Sequence, residues 1–226
     1  MRLLAIDTAT ECCSAALLIE DRLLSREVEL PRGHAERILP MIDELLGEAR
    51  IGLRAVDAIA FGRGPGSFTG VRLAASIAQG LAFGADLGVV AISDLAALSQ
   101  RVFDEGDVTR ALVCNDARMQ EVYWGCFERG SDGLAVAHGA ERVGPPAAVR
   151  LPSGWTEAAG LGRGFAAYPA LATLAGVVVR GGWDRLLPRA AEVARLAVPD
   201  IIAGRLLAPE AAVPVYLRDD VARPPP

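Results

Sequence analysis

The 226-residue chain is 52% hydrophobic and carries a net charge of −5; that is enough for one large domain or two small lobes around a sizeable core, and it argues against a protein that grips nucleic acid by itself, since phosphate affinity comes largely from Lys and Arg. Its four cysteines, Cys12, Cys13, Cys114 and Cys126, make no Cys-x-x-Cys pair and read as buried reduced thiols. The apolar opening, Met1 to Asp7, is too brief for a signal peptide, and no run of about 18 apolar residues suggests a membrane span, so a cytosolic protein is expected.

Leu3 to Ile6 is a continuous apolar run and reads as a central strand, with Asp7-Thr8-Ala9-Thr10 as its turn. Cys13 to Glu20 and Arg22 to Leu30 follow as second and third strands of a meander. The first helix lies within Gly33 to Ala49, where Ala35, Ile38, Leu39, Ile42, Leu45, Leu46 and Ala49 recur at three- and four-residue spacing and form one apolar face. Pro40 inside it must kink the helix or start its regular part. Asp57 to Phe61 is a fourth, buried strand.

Four glycines and a proline then fall within Gly62-Arg63-Gly64-Pro65-Gly66-Ser67-Phe68-Thr69-Gly70, marking a tight loop between that strand and a second helix. Ser67 or Thr69 can cap the helix, and its free N–H groups make a generic anion or phosphate cradle. The specific phosphate motifs do not fit. A Walker loop needs a lysine where Gly70-Val71-Arg72 has none, and the third glycine of a dinucleotide fingerprint falls at Ser67. The competing reading is a strand-to-helix turn built for close packing.

The second helix, roughly Phe68 to Phe83, has no charge after Arg72 until Asp86 and is rich in small residues. A helix apolar on nearly every side is either sandwiched inside its own domain or shared between its own sheet and a partner protein. Val89 to Ile92 is a fifth strand, and Ser93 caps a third helix that runs to about Phe103. Ala111 to Asn115, a turn at Asp116-Ala117-Arg118-Met119, and Glu121 to Phe127 repeat the opening pattern of strand, Asp-led turn and strand. This suggests a duplicated lobe. Val122, Trp124 and Cys126 share one face of the second of these strands.

Beyond Val143 the pattern fades. Pro145-Pro146, Pro152 to Gly154 and Gly160 to Gly164 read as loops, and Val177 to Val179 as a short strand. Ala190 to Leu207 reads as helix interrupted at Pro199, Val213 to Leu217 as a last extended piece, and Pro224-Pro225-Pro226 as a disordered tail.

Gly64-Pro65-Gly66-Ser67-Phe68-Thr69-Gly70-Val71-Arg72 resembles the signature of the TsaB (YeaZ) family, partner subunits in bacterial threonylcarbamoyl-adenosine tRNA modification. Asp116 to Met119 with Glu121-Val122-Tyr123, the stretch His34 to Met41, and Val215-Tyr216-Leu217-Arg218 are similar to the same family. The likeness is close through about residue 127 and thin from Val143 to Arg189. It implies the α/β actin-like (ASKHA) fold of two ribonuclease-H-like lobes, here expected at 1–103 and 104–226, with the last helix and tail free to pack back on the first lobe.

Such folds usually bind ATP at an Asp-led, glycine-containing turn. Here Asp7-Thr8-Ala9-Thr10 has no glycine, so Asp7 either holds a metal–phosphate or caps the turn, and the cap is favoured. The resemblance further implies that a TsaD-like enzyme carries a metal-binding His-x-x-x-His at the start of the third helix. Asp94 and Leu98 stand at those positions, and leucine cannot ligate a metal. The chain has only His34 and His138, and nothing supports a protease.

No catalytic residue, metal or cofactor is therefore expected. The implied role is a scaffold that pairs with a TsaD-like catalytic subunit and a TsaE-like ATPase, meets tRNA only indirectly, and forms a homodimer when alone. The expected interface lies on the first two helices, at His34, Ile38, Leu39, Ile42, Leu45, Leu73, Ala75, Ala78, Gln79 and Ala82. Asp7, Arg63, Ser67, Arg118 and Glu121 are candidates for nucleotide or partner contact, although a hairpin salt bridge between Arg118 and Glu121 explains those two more cheaply. The alternative function is a free-standing ATP-dependent enzyme of the actin-like fold.

Overall fold

The computed structural model describes residues 1–218; the triple-proline tail lies outside the described residues. β1 (Arg2–Asp7), β2 (Cys12–Ile19) and β3 (Arg22–Glu29) form an antiparallel meander. β4 (Ala58–Gly62) and β5 (Gly88–Ile92) add in parallel on the other side of β1, giving the order β3-β2-β1-β4-β5. β4 is buried along its whole length and β1 from Leu3 onward, which is why both read as unbroken apolar runs. β3, at the edge, alternates in burial and pairs Arg26 with Glu44 and Glu48 of the first helix.

α1 (His34–Ala49) and α2 (Phe68–Ala85) cover one face of this sheet. Ile38, Ile42 and Leu45 of α1 and Ala74, Ala75, Ala78 and Ala82 of α2 join Leu4, Ile6, Leu17, Ile59 and Phe61 in one core. Pro40 is accommodated inside α1. The other face is covered by α5 (Ala190–Ile202), whose Ala190, Val193, Ala194 and Ala197 meet Leu3, Ala5, Ala58, Ala60 and Val90. Small residues on both sides of that contact bring helix and sheet close together.

α3 (Asp94–Glu105) is capped by Ser93, whose Oγ accepts the N–H of Ala96 at 3.2 Å. It carries the chain to a second sheet, where Leu95, Leu98, Val102 and Phe103 pack on Ala111, Val113 and Phe127. That sheet is built from β6 (Arg110–Asp116), β7 (Val122–Arg129), β8 (Ala135–Ala137), β10 (Ala158–Leu161) and β11 (Val177–Val178), with β9 (Arg142–Gly144) paired to β7. Its order, β11-β10-β6-β7-β8, has an antiparallel meander on one side and parallel strands on the other. The second sheet thus repeats the topology of the first. Val122, Trp124 and Cys126 do share a buried face, and all four cysteines are free and buried.

Three expectations are corrected. The expected loop at Gly160 to Gly164 is the end of β10 followed by α4 (Arg163–Ala167); Ala158-Ala159-Gly160-Leu161 is buried on both faces, so no alternation marks it as a strand. The last helix is not interrupted at Pro199 but runs through it and ends at Ile202. Leu207, expected in that helix, instead exchanges both backbone hydrogen bonds with Val89 at 2.8 and 2.9 Å, closing the open edge of β5. Val213 to Leu217 lies outside the named helices and strands, and the N–H of Val215 reaches the carbonyl of Arg63 at 2.8 Å.

Candidate functional site

The glycine loop packs against the first turn of the same sheet. The N–H of Ser67 donates to the carbonyl of Ala9 at 2.7 Å, and the Thr8 hydroxyl donates to the carbonyl of Gly70 at 2.7 Å. Ser67 caps α2, its Oγ accepting the N–H of Gly70 at 3.0 Å. A Cβ on Gly66 would overlap the Ala9 carbonyl, and one on Gly70 the Thr8 carbonyl. The glycines are there for close approach, and the Ser67 N–H at the start of α2 is taken by the chain's own Ala9 carbonyl. Asp7 caps its turn, Oδ1 accepting the N–H of Ala9 at 2.8 Å.

Behind this contact lies a buried acid pair that sequence reasoning missed. Asp7 and Asp94 are both fully buried. Asp94 Oδ2 accepts the N–H of Gly64, while Asp7 Oδ2 and Asp94 Oδ1 have no other partner among the described residues. Both carboxyls converge on Gly62, where a Cβ would stand 2.7 Å from Asp94 Oδ1 and 3.0 Å from Asp7. Burial pushes Asp7 up to about 6 and lifts Asp94 well above the usual carboxylate range, the latter also through the Asp7 charge. Beside the pair, Glu141 accepts the Ser93 hydroxyl and pairs with Arg63 at 3.3 Å.

A cleft of about 810 Å³ opens in front of the first turn. One wall carries Thr10, His34 and Ser67; the other carries Asn115, Tyr123 and Arg163. The second wall is a copy of the first in one respect. Asp116 caps its own turn through the N–H of Arg118 at 2.9 Å, as Asp7 does through Ala9. Arg118, Met119 and Gln120 then run through three consecutive left-handed conformations. The expected Arg118–Glu121 bridge is corrected: Arg118 pairs with Asp116 at 3.0 Å and Glu11 at 3.5 Å, while Glu121 pairs with Arg218. Of the candidate contact residues, Ser67 and Arg118 line the cleft; Asp7 is buried behind it, Arg63 is turned to Glu141 and Glu121 to Arg218.

His34 does not cap α1, whose N-cap is Gly33; its Nε2 lies 2.9 Å from the Thr10 carbonyl and ties the helix to the first turn. Leu98 is core, packed with Val102 and Phe103. Among the described residues no group of three or more His, Cys, Asp or Glu side chains is placed to hold a metal ion, and no helix is long and apolar enough to cross a membrane.

Of the ten residues expected on a partner interface, Ile38, Ile42, Leu45, Ala75, Ala78 and Ala82 lie inside the chain's own core, and that expectation is corrected for the isolated chain. Leu73 is half-buried and Gln79 donates to the Ala212 carbonyl at 2.9 Å. Leu39, however, is 47% exposed. The outward side of α2 presents Ser76, Gly80, Phe83 and Gly84, with Phe83 82% exposed and open space around Gly80 and Gly84.

The family model of TsaD, tRNA N6-adenosine threonylcarbamoyltransferase, matches residues 28–157. The tRNA threonylcarbamoyladenosine biosynthesis protein TsaB of Escherichia coli (strain K12) is 43% identical over 98% of this chain and 96% of its own length. The chain belongs to the TsaB family. TsaB of Haemophilus influenzae is 54% identical over 55% of this chain and 52% of its own. The solved structure of YeaZ from Pseudomonas aeruginosa superposes with a TM-score of 0.88 at 45% identity, covering 96% of this chain and 99% of that one. With these relatives, the two repeated sheets are the actin-like fold of two ribonuclease-H-like lobes. Another solved structure from the same organism, 46% identical with a TM-score of 0.89, is described by its similarity to a peptidase. The pairing of Asp7 with Asp94 escaped sequence reasoning because nothing in the sequence joins the first turn to the start of α3, and Glu141 sits in a stretch without periodicity.

Proposed function

We propose that this chain serves tRNA threonylcarbamoyladenosine formation as a non-catalytic subunit, pairing with a TsaD-like transferase and a TsaE-like ATPase and meeting tRNA only through that assembly. The near full-length similarity to TsaB of E. coli carries the reading. Two features of the site support it. The first turn, where an actin-like enzyme would seat phosphates, is packed against Gly66 and Gly70, and Leu98 is buried in the core. The partner surface in this reading is the outward side of α2, from Ser76 through Gly80 to Phe83 and Gly84, together with Leu39 of α1. Small residues there let another helix approach closely, and Phe83 and Leu39 offer apolar area that monomers tend to cover. The same face joins two copies when the chain is alone. The lobes are divided at 1–103 and 104–226, with α5 returning to the first.

The cleft of about 810 Å³ favours a second reading, a free-standing ATP-dependent enzyme. A reconstituted transfer assay separates the two. With tRNA, threonylcarbamoyl-adenylate and ATP, modified adenosine is expected only when this chain, the TsaD-like subunit and the TsaE-like ATPase are all present. Product from this chain alone, or undiminished product when it is omitted, would contradict the proposal.

A further inference from the structure

The acid pair behind the glycine loop joins three parts of the fold. Asp7 ends β1, Asp94 opens α3, and Gly62 and Gly64 belong to the end of β4 and the loop after it. Each carboxyl spends one oxygen on a backbone N–H, Ala9 for Asp7 and Gly64 for Asp94, and turns its remaining oxygen to a site with no other partner. Two carboxylates cannot face each other in a fully buried site without a proton between them. We propose that Asp7 and Asp94 share one proton and form a clasp between the first turn, the glycine loop and α3, which loosens as pH rises.

The charges around the pair do not supply a counter-ion in place of that proton. From α1, His34 is engaged with the Thr10 carbonyl. From α5, Glu192 is paired with Arg189. Glu141 is paired with Arg63 of the loop. From α3, Arg101 donates to the Leu187 carbonyl at 3.0 Å. From β2, the buried thiol of Cys12 is pushed up to about 12 and stays neutral. α2 has one charge, Arg72, which stacks on Phe68 and Tyr216.

The sign follows from proton counting. Both carboxyls hold protons more tightly folded than unfolded, Asp7 up to about 6 and Asp94 well above its ordinary value. Their contribution to stability is therefore complete below the unfolded value of 3.8 and is lost as pH rises through the folded values. Asp94→Asn supplies an N–H donor in place of the shared proton and keeps an oxygen for Gly64.

Thermal unfolding of the full chain and of Asp94→Asn between pH 5 and pH 8 tests the clasp. The folding constant of the variant relative to the wild type is expected to rise by up to tenfold per pH unit above the unfolded value of 3.8 and to level off once Asp94 ionises in the folded chain, seen as a Tm advantage of about 2–8 °C at pH 8. Infrared spectroscopy of the wild type at pH 7 should show a protonated carboxyl stretch that Asp94→Asn lacks. Amide exchange at Gly64 should lose protection with pH faster in the wild type than in the variant. Equal pH slopes, or no protonated carboxyl in the wild type, would overturn the proposal. So would a Tm increase on adding Mg²⁺ or Mn²⁺ at pH 8 that Asp94→Asn abolishes, since that would place a cation where the proton is assigned. If Asp94→Asn does not fold, the wild-type infrared spectrum and Asp7→Asn decide.

Discussion

Gly70→Ala lowers the unfolding free energy by about 3 kcal/mol, whereas Gly80→Ala, ten positions further along the same helix, raises it by about 1 kcal/mol. Alanine is the better helix former at both sites, so propensity alone predicts a gain twice. At Gly80 nothing lies within 4 Å of the new methyl and the gain is realised. At Gly70 the methyl meets the backbone carbonyl of Thr8, whose hydroxyl is itself bound to Gly70. Backbone cannot rotate away as a side chain can, so turn and helix must separate. Gly66→Ala, against the Ala9 carbonyl, should behave like Gly70→Ala. Urea unfolding reads these differences, and the melting temperature of Gly70→Ala should fall by about 6–12 °C. Equal responses at Gly70 and Gly80 would mean that the glycine loop is not there for close packing.

Ala78→Asp leaves little folded protein, while Gly80→Arg folds at least as well as the wild type. Ala78 is fully buried among the side chains under α2. A carboxylate there has no ion partner, and an unpaired buried charge costs about 4 kcal/mol or more, a large part of the stability of a domain of this size. Gly80 faces open space and exchanges glycine for a good helix former. Far-ultraviolet circular dichroism and denaturant titration of the two variants check the pair. A folded Ala78→Asp would show that the helix is less embedded in its own core than its burial indicates.

The elements most legible in the sequence are those with a period or a stop signal. α1 has its three- and four-residue spacing, α3 its Ser93 cap, and β1 and β4 are apolar runs between turns. The glycine loop could be located but not interpreted, because what decides between cradle and packing is the position of Thr8 and Ala9, about 60 residues away in sequence. For the same reason α2 stayed open between core and interface. Its alanines and glycines look alike in hydropathy, yet Ala74, Ala75, Ala78 and Ala82 face the sheet while Gly80 and Gly84 face outward. β10 was hidden by its own smallness. Leu207 looked helical because an apolar residue after an apolar helix carries no mark of the edge strand it will close. Arg118 and Glu121 are near neighbours in sequence, but the left-handed turn sends them to different partners.

The affinity of the TsaD-like subunit for Gly80→Arg, measured by calorimetry or on a sizing column against the wild type, tests the proposed partnership most directly. The variant puts a long charged side chain into the small-residue surface between Phe83 and Ser76 without touching the core. A folded variant that binds the TsaD-like subunit at least about 100-fold more weakly, a loss of about 2.7 kcal/mol, and that no longer restores threonylcarbamoyl transfer is the expected result. A folded Gly80→Arg that binds and restores transfer as the wild type does would contradict the account, and would place the partner on some other face of the chain.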